Sequence, residues 1–132
     1  MQLNLSTDIA LRTLIYLGGK GGSATIAEVS GAFSIARTHL MKVVMALVAA
    51  NLVLSERGRN GGIRLARNPT EITVGEVVRV MESNLALLYC LRQEATNDCC
   101  PLMPACKLRK VFFNAQKQFL QSLEASTLAD IL

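Results

Sequence analysis

The sequence predicts a mainly α-helical fold with a small β-hairpin wing, a winged helix-turn-helix region followed by a long dimerisation helix. Three observations predict it. Two amphipathic segments flank a turn at Gly31 to Ser34, a glycine-rich basic hairpin follows between residues 52 and 65, and an apolar seam runs from Leu108 to Leu123. At 132 residues the chain suits one compact unit with an arm. Hydrophobic residues make up 51% and mean hydropathy is +0.33, more apolar surface than one small core hides. Burial between two subunits is the simplest outlet.

The first helix has Ser6 as its expected cap and carries Leu11, Leu14, Ile15 and Leu17 before Gly18-Gly19 stops it. Thr25-Ile26-Ala27-Glu28 matches a capping box, which opens a second, short helix ending near Gly31. In the third helix Leu40, Val43, Val44, Leu47 and Val48 form one stripe, while Arg37, Thr38, Met41, Lys42 and Met45 face elsewhere. An ordinary helical hairpin with a solvated basic face fits this segment as well as a helix-turn-helix does.

The next residues favour the second reading. Leu52 to Glu56 and Ile63 to Leu65 read as strands around Arg57-Gly58-Arg59-Asn60-Gly61-Gly62, a hairpin with a basic tip. Its glycines allow close approach to a phosphate, and its arginines can enter a narrow minor groove. Asn68-Pro69 then breaks the chain, and Thr73 can cap a short helix through Val74, Val77, Val78 and Val80. Residues 83–106 read as a cysteine-bearing loop. In the last helix Leu108, Val111, Phe112, Ala115, Phe119 and Leu123 form a seam that serves either a second subunit or the chain's own core. Thr127 to Asp130 can start one more helix. The expected layout is a winged helix-turn-helix DNA-binding region over 1–80, a cysteine-bearing loop over 81–106, and a dimerisation helix with the C-terminal segment over 107–132.

Net charge is +4, and it is uneven: residues 1–67 hold eight Lys/Arg against three Asp/Glu, and residues 68–132 hold six against seven. A basic first half suits phosphates. No run of eighteen apolar residues occurs and no leader-like basic and apolar block opens the chain, so a cytoplasmic, non-membrane protein is expected. In that setting four cysteines argue for metal or redox chemistry and against a disulfide framework.

The cysteines are Cys90, Cys99, Cys100 and Cys106, spaced C-x8-C-C-x5-C rather than in the C-x2-C knuckles of structural zinc sites. Soft thiolates in an irregular loop with Pro101 and Pro104 suit an iron–sulfur cluster, and free thiols are the plain alternative. Side chains of adjacent cysteines diverge, so only one of Cys99 and Cys100 is needed. His39, the lone histidine, lies in the third helix and reads as a surface or DNA-contacting residue. No Cys/His pair, phosphate loop or paired acid/base carboxylates are evident, so an enzyme is not expected.

Four stretches have a further significance: Thr7-Asp8-x-x-Leu11-Arg12, Arg37-x-His39-Leu40-x-Lys42, Arg57-Gly58-x-x-Gly61-Gly62-Ile63-Arg64-Leu65, and Ile72-x-Val74-Gly75-Glu76-Val77-Val78. Through them the chain resembles, over essentially its whole length, the winged-helix iron–sulfur regulators, the family of NsrR-type nitric-oxide-sensing repressors and IscR-type regulators. Cys100-Pro101-Leu102-Met103-Pro104-Ala105-Cys106 is similar to the second and third cluster cysteines of the NsrR-type branch, with Cys90 as the first. Thr127-Leu128-Ala129-Asp130 resembles that branch too.

The resemblance implies a homodimeric DNA-binding repressor holding an iron–sulfur cluster of the [4Fe–4S] type and responding to nitric oxide. It implies Cys90, Cys100 and Cys106 as ligands and Asp8 of the other subunit as the fourth. Arg109 stands where the IscR-type branch has a ligating histidine, which argues against that branch. A redox or cluster-status regulator of the same fold, with a [2Fe–2S] cluster or thiols, is the alternative. On operator DNA, Lys42 is expected to add phosphate affinity, Arg37, Thr38 and His39 to reach base edges, and Arg57, Arg59 and Asn60 to form the wing contact.

Overall fold

The computed structural model describes residues 1–132. Five α-helices and a two-stranded antiparallel sheet follow one another as α1 (Leu5–Lys20), α2 (Ile26–Phe33), α3 (Arg37–Ala49), β1 (Val53–Glu56), β2 (Gly62–Leu65), α4 (Val74–Met81) and α5 (Lys107–Glu124).

α1 starts earlier and stops later than the sequence suggests. Its cap is Asn4, whose side chain accepts the Thr7 backbone N–H at 2.9 Å, and Ser6 lies inside the first turn. Gly18 and Gly19 do not end it; the left-handed position falls to Gly21 at φ 68°. At Gly18 an added Cβ would lie 2.8 Å from the end of the exposed Leu132 side chain, which would have to shift.

α2 opens on the expected capping box, with Thr25 and Glu28 satisfying each other's backbone N–H groups. It passes Gly31 and ends at Phe33, and Ser34 takes the left-handed turn at φ 54°. α2 and α3 meet at 118°, within the range of helix-turn-helix pairs. α3 buries Leu40, Val43, Val44 and Leu47 as expected, but Val48 stays exposed. Asn51, at φ 56°, then turns the chain into β1, a conformation that asparagine tolerates better than most residues.

β1 and β2 pair in register from Val53 opposite Leu65 to Glu56 opposite Gly62. A third stretch joins this wing, since Ala24 and Ile63 exchange backbone hydrogen bonds of 2.8 and 2.9 Å. Only glycine fits at position 62, where a Cβ would meet the Ala24 carbonyl oxygen at 2.6 Å. Arg67 secures the base of the wing to α4 by pairing with Glu76 at 2.6 Å.

The core gathers residues from α1 to α4 and the wing, including Leu14, Leu17, Val29, Leu40, Leu47, Ile63 and Val77. Thr73 caps α4 as expected; Val80, read as apolar stripe, is exposed. Instead of a further helix, the C-terminus makes a single 3-10 turn at Ala129–Ile131, and buried Leu128 returns to the core through its N–H on the Ile72 carbonyl at 2.7 Å.

α5 splits the seam read from the sequence. Phe112 and Leu123 turn inward with buried Leu120, whereas Leu108, Val111, Ala115 and Phe119, spaced i, i+3, i+7 and i+11, stay exposed. α5 crosses α4 closely at Gly75, where a Cβ would lie 2.8 Å from the Glu124 backbone nitrogen. No single helix is long and apolar enough to cross a membrane.

Candidate nucleic-acid interface and cysteine loop

The N-terminal end of α3 and the tip of the wing present the predicted cations. Arg37, Thr38, Lys42, Arg57, Arg59 and Asn60 are all exposed. Arg12, Lys20, Arg64 and Arg67 each pair with a carboxylate at 2.6 to 2.9 Å. Arg37, Lys42, Arg57 and Arg59 have no carboxylate partner, so the basic excess of the first half is concentrated on one helix end and one hairpin tip. Free cations on these two elements suit a polyanion, because no internal pairing competes.

His39 is placed differently from its neighbours. It is half-buried, and its Nε2 lies 3.0 Å from Ser6 Oγ, which joins the start of α3 to the first turn of α1. Ser6, Thr38, His39, Lys42 and Met81 line one hollow between α1, α3 and the end of α4.

The same end of α1 is held from a second side. One Glu82 carboxylate oxygen accepts the Asn4 backbone N–H at 2.8 Å and the hydroxyl of buried Thr7 at 2.5 Å. Asn4 Nδ2 adds a bond to the Met81 carbonyl at 3.2 Å. Glu82 directly follows α4 and leads into the cysteine loop, so the root of that loop and the start of α3 grip one helix end. Neither Ser6 nor Glu82 was marked by the sequence as functional. Their contacts span 33 and 75 or more positions, which no local pattern signals.

In the loop, Cys90 sits on a 3-10 turn at Tyr89–Leu91, Cys99 ends another at Asn97–Cys99, and Cys100 is extended. Cys106 caps α5, with its Sγ accepting the Arg109 N–H at 3.4 Å. All four are free, partly buried thiols. Arg109 Nε also donates to the Cys90 carbonyl at 3.2 Å, so one arginine links the segments bearing Cys90 and Cys106.

The ligand set expected from the sequence is not gathered in the single chain: no three Cys, His, Asp or Glu side chains converge. The thiols sit on separate turns, and Asp8 is paired with Arg12 at 2.8 Å on the half-exposed face of α1. By chemistry the donors suit an iron–sulfur cluster, three soft thiols on irregular backbone within one loop.

Residues 3–132 match the model of a family described as Rrf2, iron-dependent transcriptional regulator. The whole chain is 43% identical, over 134 positions, to the HTH-type transcriptional regulator NsrR of Geobacillus kaustophilus, covering 90% of that protein. It is 42% identical to the regulator of the same name from Shouchella clausii, covering 89%. Among solved structures it is similar to CymR, the global cysteine regulator of B. subtilis, with a TM-score of 0.79 and 24% identity over 99% of this chain and 95% of that one. T. potens IscR aligns with a TM-score of 0.76 and 22% identity, over 99% and 85% of the two chains. At these identities the two structures speak for the fold.

Proposed function

The chain belongs to the Rrf2 family of transcriptional regulators, and we propose that it is a homodimeric operator-binding repressor whose DNA affinity is set by nitric oxide through the cysteine loop. The observation that carries the DNA-reading part is the charge placement: the unpaired cations of the first half are Arg37 and Lys42 on α3 and Arg57 and Arg59 on the wing. α3 enters the major groove by its N-terminal end, where Arg37 and Thr38 reach base edges and Lys42 holds phosphate. Arg57, Arg59 and Asn60 contact the backbone and the adjacent minor groove. His39, held by Ser6, positions the helix end and reaches bases only from its second ring nitrogen.

The open face of α5 supports the dimer. Leu108, Val111 and Phe119 are 56%, 63% and 37% exposed along one line of the helix, a pattern that a facing copy of the same helix covers. Two DNA heads then address half-sites about one helical turn, roughly 34–36 Å, apart.

Cys90, Cys100 and Cys106, with Asp8 of the partner subunit, would hold the cluster. When bound, it supplies iron centres with which nitric oxide reacts. The remaining steps belong to the chain's own residues. Asp8 leaves Arg12 at small cost, because an exposed i, i+4 ion pair contributes only about 0.3–0.5 kcal/mol. Asp8 lies on the same first turns of α1 as Ser6 and Thr7. A displacement there is passed to α3 through His39 and felt at the loop's root through Glu82.

The test uses the full-length chain purified anaerobically, with a random duplex pool from which it selects its site. The reading expects a dimer by sedimentation and an enriched site of two half-sites about 10 base pairs apart, centre to centre. Failure to enrich any duplex, or binding as a monomer to single half-sites, would overturn it.

A further inference from the structure

On the outward face of α3 lie two residues with no role in the core or in the cationic contacts. Met41 is 53% exposed and Met45 is 71% exposed. They follow Arg37 at i+4 and i+8, so the three share one line of the helix with a rise of about 6 Å between neighbours. The buried stripe is made by Leu40, Val43, Val44 and Leu47, which leaves this line free of packing duties. α3 contains no carboxylate, and Met41 stands between unpaired Arg37 and Lys42. A second copy of this face would be repelled, whereas a polyanion would be drawn to it.

We infer that Met41 is a specificity-determining residue that reads the 5-methyl group of thymine in the major groove. This rests on the DNA-reading part of the function proposed above. The thymine methyl is the apolar group that the major groove displays among its hydrogen-bonding atoms. Met41 lies one turn behind Arg37, within the N-terminal part of α3 that approaches the bases. Its unbranched thioether can follow an irregular surface without a fixed rotamer. Burying one methyl corresponds to about a fourfold change in affinity.

The test takes the duplex that the full-length chain selects from a random pool and replaces each thymine in turn with deoxyuridine, which removes the 5-methyl group alone. Wild type should lose about fourfold in affinity at one thymine per half-site. In Met41→Ala that loss should vanish, and Met41→Leu should restore it. Both variants should keep the melting temperature of wild type, since the side chain is half exposed. Insensitivity of wild type to every deoxyuridine, or an equal loss in wild type and Met41→Ala, overturns the inference and leaves the DNA-reading function standing. If no duplex is enriched at all, that function falls, and this inference with it.

Discussion

His39 Nε2 lies 3.0 Å from Ser6 Oγ, so α3, the helix proposed to read DNA, is tied at its start to the helix that carries Asp8. A hydrogen bond of this kind contributes about 0.5–1.5 kcal/mol. Ser6→Ala should therefore weaken operator binding by roughly twofold to tenfold although Ser6 lies on α1, outside the helix and wing proposed to contact DNA. The double variant with His39→Ala should be little worse than His39→Ala alone, because both changes remove the same bond. Fluorescence anisotropy on the selected duplex measures all three; strictly additive losses would show that the two residues act separately.

Arg59 and Arg64 occupy the same hairpin but differ in pairing. Arg64 is bound to Glu56 at 2.9 Å and Arg59 has no carboxylate partner. Arg59→Ala should lower affinity across all duplex sequences and reduce the salt slope by about 1, whereas Arg64→Ala should leave that slope nearly unchanged. Titrations at several salt concentrations decide between them, and undiminished binding by Arg59→Ala would remove the wing from the interface.

Adjacent Cys99 and Cys100 belong to different backbone conformations, the first closing a 3-10 turn and the second extended. Cys100→Ser should lose most of the iron and sulfide of the anaerobic protein, while Cys99→Ser should retain them. The reverse pattern would assign the middle ligand to Cys99.

Glu28 has its carboxyl held down from its ordinary value of 4.5 to about 2, first by the hydrogen bond from Lys20 at 2.6 Å and then by the Thr25 N–H. Because the folded value is the lower one, the ionised form favours the folded state. That contribution is complete above pH 4.5 and is lost as pH falls toward about 2. Wild type should thus melt above Glu28→Gln at neutral pH, and the two melting curves should converge across this acid window. Asp130, lowered by the N–H and hydroxyl of Thr127, adds a loss of the same sign at the C-terminus in both proteins.

Much of this architecture was legible in local pattern. The Thr25 box, the stripe from Leu40 and the Gly-rich hairpin each act within a few residues, and the structure has all three, although Val48 drops out of the stripe and each strand starts one residue away from where the pattern put it. The misjudged ends have tertiary causes. Gly18 reads as a stop yet lies inside α1, which runs on to Lys20, with Leu132 from the far end of the chain beside it. The α5 seam reads as one face, but Phe112 and Leu123 turn to the chain's own core while Leu108 and Val111 remain open. The charge count showed a basic first half, and what the sequence lacked was which of its cations are paired. The cysteine loop was legible as chemistry and not as geometry, since its thiols stand on separate turns whose relative placement no spacing fixes. Glu82 and Ser6 escaped notice because their partners are distant in the chain.

In the proposed function nitric oxide controls DNA affinity through the cysteine loop and the first turns of α1. Its most direct test measures operator affinity of one anaerobic, iron- and sulfide-containing preparation before and after nitric oxide. Nitric oxide should lower that affinity by roughly two to four orders of magnitude, the change needed to turn a mostly bound site into a mostly free one. Equal affinity before and after would contradict it.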